Sequence, residues 1–215
     1  MREFRFILTL IVIFYSTALA QPRQDWVNIY GDEARDYFYD VFLPAAGGYA
    51  MCGQDRIEGV SHPWIVVTNE AGEETFNRTY DLGNGGRLYT IIEVEGGGFL
   101  AGGYLGNPRK FWVLRVDGDG EIIFERDYSG ASSGKCQAVI EMKDGSFILA
   151  GRDSHQGYLV SINDEGDVNW EEHYRNVGAG LDVNTFYAMR QTRNGILVAG
   201  GSYSGVALLV NVANE

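Results

Sequence analysis

GGYAMCG at residues 47–53 is the first of four related segments; GGFLAGG (97–103), GSFILAG (145–151) and NGILVAG (194–200) follow, their last glycines 50, 48 and 49 residues apart. A glycine turn feeding a short apolar run that closes on glycine, at a near-constant period, marks one supersecondary unit used repeatedly. Working outward, an apolar stretch precedes each segment: YDVFLP from Tyr39, YTIIEV from Tyr89, QAVIEM from Gln137 and YAMRQT from Tyr187. A variable loop and then a second run follow each one: PWIVVTN, FWVLRVD, GYLVSIN and GVALLVN. Short runs rich in Val, Ile and aromatics between glycine-rich turns read as strands, so three strands per period are visible.

A fourth run carries an aromatic followed four residues later by tyrosine: Phe76 and Tyr80, Phe124 and Tyr128, Trp170 and Tyr174. Residues four apart on a strand share a face, so each pair covers one side of the outermost strand and packs on the next unit. The same pair occurs at Trp26 and Tyr30, ahead of the first complete unit, whereas the last unit stops after its third strand. The sequence therefore predicts an all-β chain: a β-propeller of four four-stranded blades, the last blade closed by N- and C-terminal strands. Blade one spans 31–80, blade two 81–128, blade three 129–174, and blade four 175–215 plus 21–30. Ring closure of this kind removes exposed sheet edges. A monomer of four blades and an assembly of half-rings are both open on this reading.

Arg2 and Arg5, the apolar run Phe6–Tyr15 and the ending Ala18-Leu19-Ala20 have the layout of a cleavable signal peptide over residues 1–20. That run is too short to span a bilayer, and no later segment reaches the length needed. The expected location is secreted or periplasmic, with 21–215 as one domain. Loss of Arg2, Glu3 and Arg5 with the leader takes the net charge from −12 to −13, which argues against nucleic acid and anionic membranes as partners. Cys52 and Cys136 fall in different units at positions that are small or apolar elsewhere, and are read as buried free thiols.

GGYAMCG, FWVLRVDGDGEIIFERDY and YLVSINDEGDVNWEEHY together resemble the β-propeller repeats of secreted and surface proteins of bacteria and archaea. Those repeats run as a GGYIVAG-type segment, a loop, WVVKLD, a glycine turn, then Trp and Tyr. The resemblance covers the whole mature chain and implies a propeller fold and export; it implies no reaction. The lysine common in the third strand of such repeats is absent here.

No catalytic constellation, metal site or cofactor site is read from the residues. Asp117-Gly118-Asp119-Gly120-Glu121 has the alternating oxygens of a calcium loop, but Asn69–Glu73 and Asn163–Asp167 occupy the same place, and all three are expected to be turns between strands three and four. Gly130–Lys135 is one residue short of a phosphate loop and is read as an interblade loop. His173 is expected as a solvated strand residue, and His62 and His155 as loop residues. Asn77-Arg78-Thr79 is a glycosylation triplet to which little weight attaches. Function is expected on the loops joining strands two and three, at 54–62, 104–110, 152–157 and 201–205, because variable loops on a repeated scaffold carry recognition. Arg56, His62, Arg109, Lys110, Asp153, His155 and Tyr203 are the candidate binding residues. The expected function is a non-enzymatic binding module for an extracellular or periplasmic partner: a glycan, a small anion or a protein. Alternatives are a glycan hydrolase or lyase using Asp36 and Asp182 over a central channel, or a piece of a surface assembly.

Overall fold

The computed structural model describes residues 26–32, 35–128, 133–175, 183–202 and 204–213. These residues contain fifteen strands and form four antiparallel sheets, each ordered as in the sequence. Sheet one holds β1 (Tyr37–Phe42), β2 (Tyr49–Ile57), β3 (Val60–Thr68) and β4 (Glu74–Thr79). Sheet two holds β5 (Gly86–Glu93), β6 (Phe99–Leu105), β7 (Lys110–Val116) and β8 (Ile122–Asp127). Sheet three holds β9 (Lys135–Glu141), β10 (Phe147–Asp153), β11 (Gln156–Ile162) and β12 (Val168–Tyr174). Sheet four holds β13 (Val183–Thr192), β14 (Gly195–Ser202) and β15 (Ala207–Ala213). Among the described residues no helix is long and apolar enough to cross a membrane.

Period-two alternation places one face of each sheet against the next. Ala50, Cys52, Ile65 and Val67 of sheet one pack on Phe99, Ala101, Trp112 and Leu114 of sheet two. Leu100 and Val113 then meet Phe147, Leu149, Tyr158 and Val160 of sheet three, and Ile148, Ala150 and Leu159 meet Phe186, Ile196 and Val198 of sheet four. The two cysteines are free, fully buried small hydrophobes in the first and second of these cores, where burial pushes both thiols well above the usual range.

The aromatic–tyrosine pairs clasp successive sheets in one repeated geometry. Tyr80 donates its hydroxyl to the Gly120 carbonyl at 2.9 Å, and Tyr128 to that of Gly166 at 2.9 Å. A Cβ on Gly120 would stand 2.9 Å from the Phe76 ring, and one on Gly166 the same distance from Phe124. Tyr30 makes the equivalent bond to Gly72 at 2.7 Å, Asn28 adds a second at 2.8 Å, and the Trp26 ring lies 3.2 Å from where a Gly72 Cβ would be. The N-terminal segment thus covers sheet one as β4 covers sheet two.

The expected four-stranded fourth blade differs from what is found. Among the described residues sheet four has three strands, and Trp26–Tyr30 forms no strand and no ladder to β15. Its bonds run sideways to the Gly72 turn of sheet one instead, and the outer face of sheet four keeps Leu209 67% exposed.

The segments between strands three and four are turns. Asp117 Oδ1 accepts from the N–H groups of Asp119 and Glu121, as Asn69 does from Ala71 and Glu73 and Asn163 from Glu165 and Asp167. The oxygen that suggested a cation ligand closes its own loop.

Candidate binding site at one end of the central cavity

The first strands of all four sheets contribute to the lining of one cavity of about 650 Å³, through Asp40–Phe42, Tyr89–Glu93, Gln137–Glu141 and Tyr187–Gln191. Each of these strands carries a bulge at the same place. The pairing passes from Phe38–Gly53 to Asp40–Cys52, leaving Tyr39 without an opposite residue; Tyr89, Gln137 and Tyr187 are left out in the same way. A bulge re-aims the side chain that it strands, and here Tyr89, Gln137 and Tyr187 all line the cavity.

The repeated terminal glycine makes room for this bulge. A Cβ on Gly53, Gly103 or Gly151 would stand 1.8, 1.9 or 2.0 Å from the carbonyl oxygen of Tyr37, Arg87 or Lys135 in the bulged strand. Gly53, Gly103 and Gly151 therefore act by admitting the neighbouring backbone, whereas Gly47, Gly97 and Gly145 at the start of the same segments turn their own, with φ of +88°, +92° and +80°.

At the end of the cavity where β5 and β9 begin, cations and tyrosines converge. The rings of Tyr39 and Tyr89 lie 5.3 Å apart, and those of Tyr89 and Tyr104 6.1 Å. The Arg87 guanidinium sits 5.8 Å from the Tyr39 ring and 5.5 Å from Tyr104, and donates to the Tyr39 hydroxyl at 3.0 Å. Arg109 stacks over Tyr104 at 4.7 Å and Lys135 faces Tyr89 at 5.8 Å, all within cation–π range. Arg152 stands close by and donates to the Ser133 carbonyl at 3.0 Å. Among the described residues, none of these four cations pairs with a carboxylate. Burial, then the positive charges of Arg109, Arg152 and Arg87, hold the Lys135 ammonium below the usual lysine value.

That depression has a stability consequence with a fixed sign. A lysine whose folded value is lowered destabilises the fold while protonated, and the penalty fades as pH rises through the folded value toward about 10.4, where lysine titrates in the unfolded chain. At neutral pH and low salt, Lys135→Met is expected to raise Tm by about 1–2 °C, the scale of one relieved like-charge contact in a domain of this size. Thermal scans should show that gain shrink in high salt and at alkaline pH.

Of the residues singled out in the sequence, Arg109 joins this cluster. Two of the expected variable loops are two-residue turns: Glu58-Gly59, with φ +51° and +83°, and Ser154-His155, with φ +48° and +69°. Both have the left-handed pair that matches strand twist in a tight hairpin. Arg56 and His62 are consequently strand residues, opposite Ser61 and Asp55. His62 is buried, with Nδ1 3.5 Å from an Asp81 oxygen. His155 is exposed at its turn, and Lys110 opens β7 opposite Leu105. Asp153 is buried and held by His173 Nε2 at 3.1 Å, while the His173 ring stacks on Tyr158; His173 is a half-buried partner rather than a solvated side chain. Tyr203 and Asp182 lie outside the described residues, as does much of the Gly130–Lys135 loop. Asp36 accepts backbone N–H bonds from Arg56 and Asp32, which fixes it as a brace for the end of β2.

Arg87, Lys135, Arg152, Tyr39, Tyr89 and Tyr104 were not singled out in the sequence. A signal was present: Tyr39, Tyr89, Gln137 and Tyr187 are the first letters of the four apolar stretches, the first three standing 14 residues before the terminal glycine and Tyr187 standing 13 before it. Compared with known proteins, the chain matches no family model and no curated protein.

Proposed function

We propose that this chain is an exported β-propeller that works as a non-enzymatic binding module, taking an anionic ligand at the cationic end of its cavity. The propeller reading is supported by four like-built sheets packed in sequence around one cavity, with the N-terminal segment clasping sheet one in the manner of a fourth strand. On that reading Trp26–Tyr30 closes the ring by its clasp on the Gly72 turn of sheet one, without a ladder to β15. The observation that carries the function is the cluster itself: Arg87, Arg109, Lys135 and Arg152 gathered around tyrosine rings with no carboxylate partner among the described residues, on a chain of net charge −12. Like charges held together cost free energy, and a bound anion offsets that cost through charge-assisted bonds.

Calorimetric titration of the mature protein with carboxylates, sulfate and acidic oligosaccharides tests this reading. Arg87→Gln and Arg109→Gln are each expected to weaken binding by about 10- to 100-fold, the scale of one charge-assisted hydrogen bond. Binding that survives both substitutions unchanged would place the site elsewhere.

A further inference from the structure

We propose that the ligand is compact and carries two or three carboxylates, rather than being a monoanion or a long acidic polymer; this rests on the reading of the cationic end as the binding site. The lower bound on charge comes from the number and spacing of the cations. Arg87, Arg109 and Lys135 all touch one continuous run of rings whose centroids step by 5.3 and 6.1 Å, and Arg152 adds a further charge. A single carboxylate satisfies one guanidinium fork and leaves the remaining charges facing each other. Two or three carboxylates on a small frame engage the set together. Arg87 is poised for this, since its Nε has no hydrogen-bond partner and one terminal nitrogen is already fixed by Tyr39.

The upper bound on size comes from what surrounds the cluster. The opposite end of the same cavity, where β5 and β9 finish, carries Glu93 and Glu141, each with one oxygen accepting a backbone N–H from the neighbouring sheet, and Arg190, which donates to the Met189 carbonyl; carboxylates outnumber cations there. An acidic chain threaded through the cavity would run from cations into carboxylates. A chain lying across the outer surface would meet an excess of acidic side chains. Electrostatic attraction falls off over about 8 Å at physiological ionic strength, so the four cations act only on what sits directly among them.

The test is calorimetry on the mature protein at fixed ionic strength with citrate, acetate, digalacturonate and long polygalacturonate as probes. Citrate is expected to bind at least about 100-fold more tightly than acetate, since each further charge-assisted contact is worth roughly a factor of ten or more. Lys135→Gln should cost citrate about tenfold while leaving acetate nearly unchanged; Arg126→Gln, which removes an outer pair with Asp167, should change neither. Polygalacturonate should bind no more tightly per uronate than digalacturonate. Acetate matching citrate would overturn the charge count, and affinity rising with polymer length would overturn compactness, both leaving the anion site standing. No binding of any probe by a protein that melts normally would remove the site itself.

Discussion

Gly103→Val is expected to remove more than about 4 kcal/mol of stability and to leave little folded protein at 37 °C. The new Cβ would stand 1.9 Å from the Arg87 carbonyl oxygen and 2.9 Å from the Leu88 Cα, both backbone atoms, so no side-chain rotation relieves the clash. The bulged strand β5 would have to leave its ladder with β6, exposing Leu88 and Ile91, which are buried in the first core. Effects of this size arise where backbone or core is forced apart. Gly118→Ala is the matched control: its Cβ meets nothing within 4 Å, and its stability should change by less than about 0.5 kcal/mol. Urea unfolding followed by far-ultraviolet circular dichroism distinguishes the two, and a Gly103→Val protein as stable as the parent would refute the packing argument.

Starting the chain at residue 31 rather than at residue 21 should cost about 4 kcal/mol. The loss comprises the Trp26 contacts with Tyr49 and Gly72, the Tyr30 contact with Phe38, and the two bonds to the Gly72 carbonyl. A fully buried Trp truncation costs about 3–5 kcal/mol; Trp26 is 43% exposed, which roughly halves it, and each hydrogen bond adds about 1 kcal/mol. A peptide of residues 21–30 added in trans should restore the lost stability in proportion to its concentration. A truncated protein with the parent's unfolding midpoint would mean that the segment rests on sheet one without closing anything.

The strands were legible in the sequence because alternation and β-branched or aromatic content are local properties. The Tyr80–Gly120 and Tyr128–Gly166 clasps were foreshadowed by the aromatic–tyrosine spacing. The site was not legible in the same way. A bulge depends on how two strands register, and nothing in Tyr89 alone distinguishes a ladder position from a stranded one. Arg87 and Lys135 stand in different sheets, so their meeting at Tyr89 depends on packing between units. Arg56 and His62 misled because Glu58 and Gly59 turn the chain in two residues, which a run of polar residues disguises as a longer loop.

The bulge separates two jobs that a strand residue ordinarily combines. Tyr39, Tyr89, Gln137 and Tyr187 have no opposite residue in the ladder, so their side chains work outside it: Tyr39 reaches Gln54 of β2 at 3.4 Å and the Tyr89 ring of the next sheet at 5.3 Å. The strand pairing is admitted by glycines one strand away, and the ladder itself asks for no particular residue at the four stranded positions. A single substitution at Tyr89, Gln137 or Tyr187 changes what lines the cavity while leaving the ladder pairs in place, a division of labour that suits the scaffold as a template for engineered receptors.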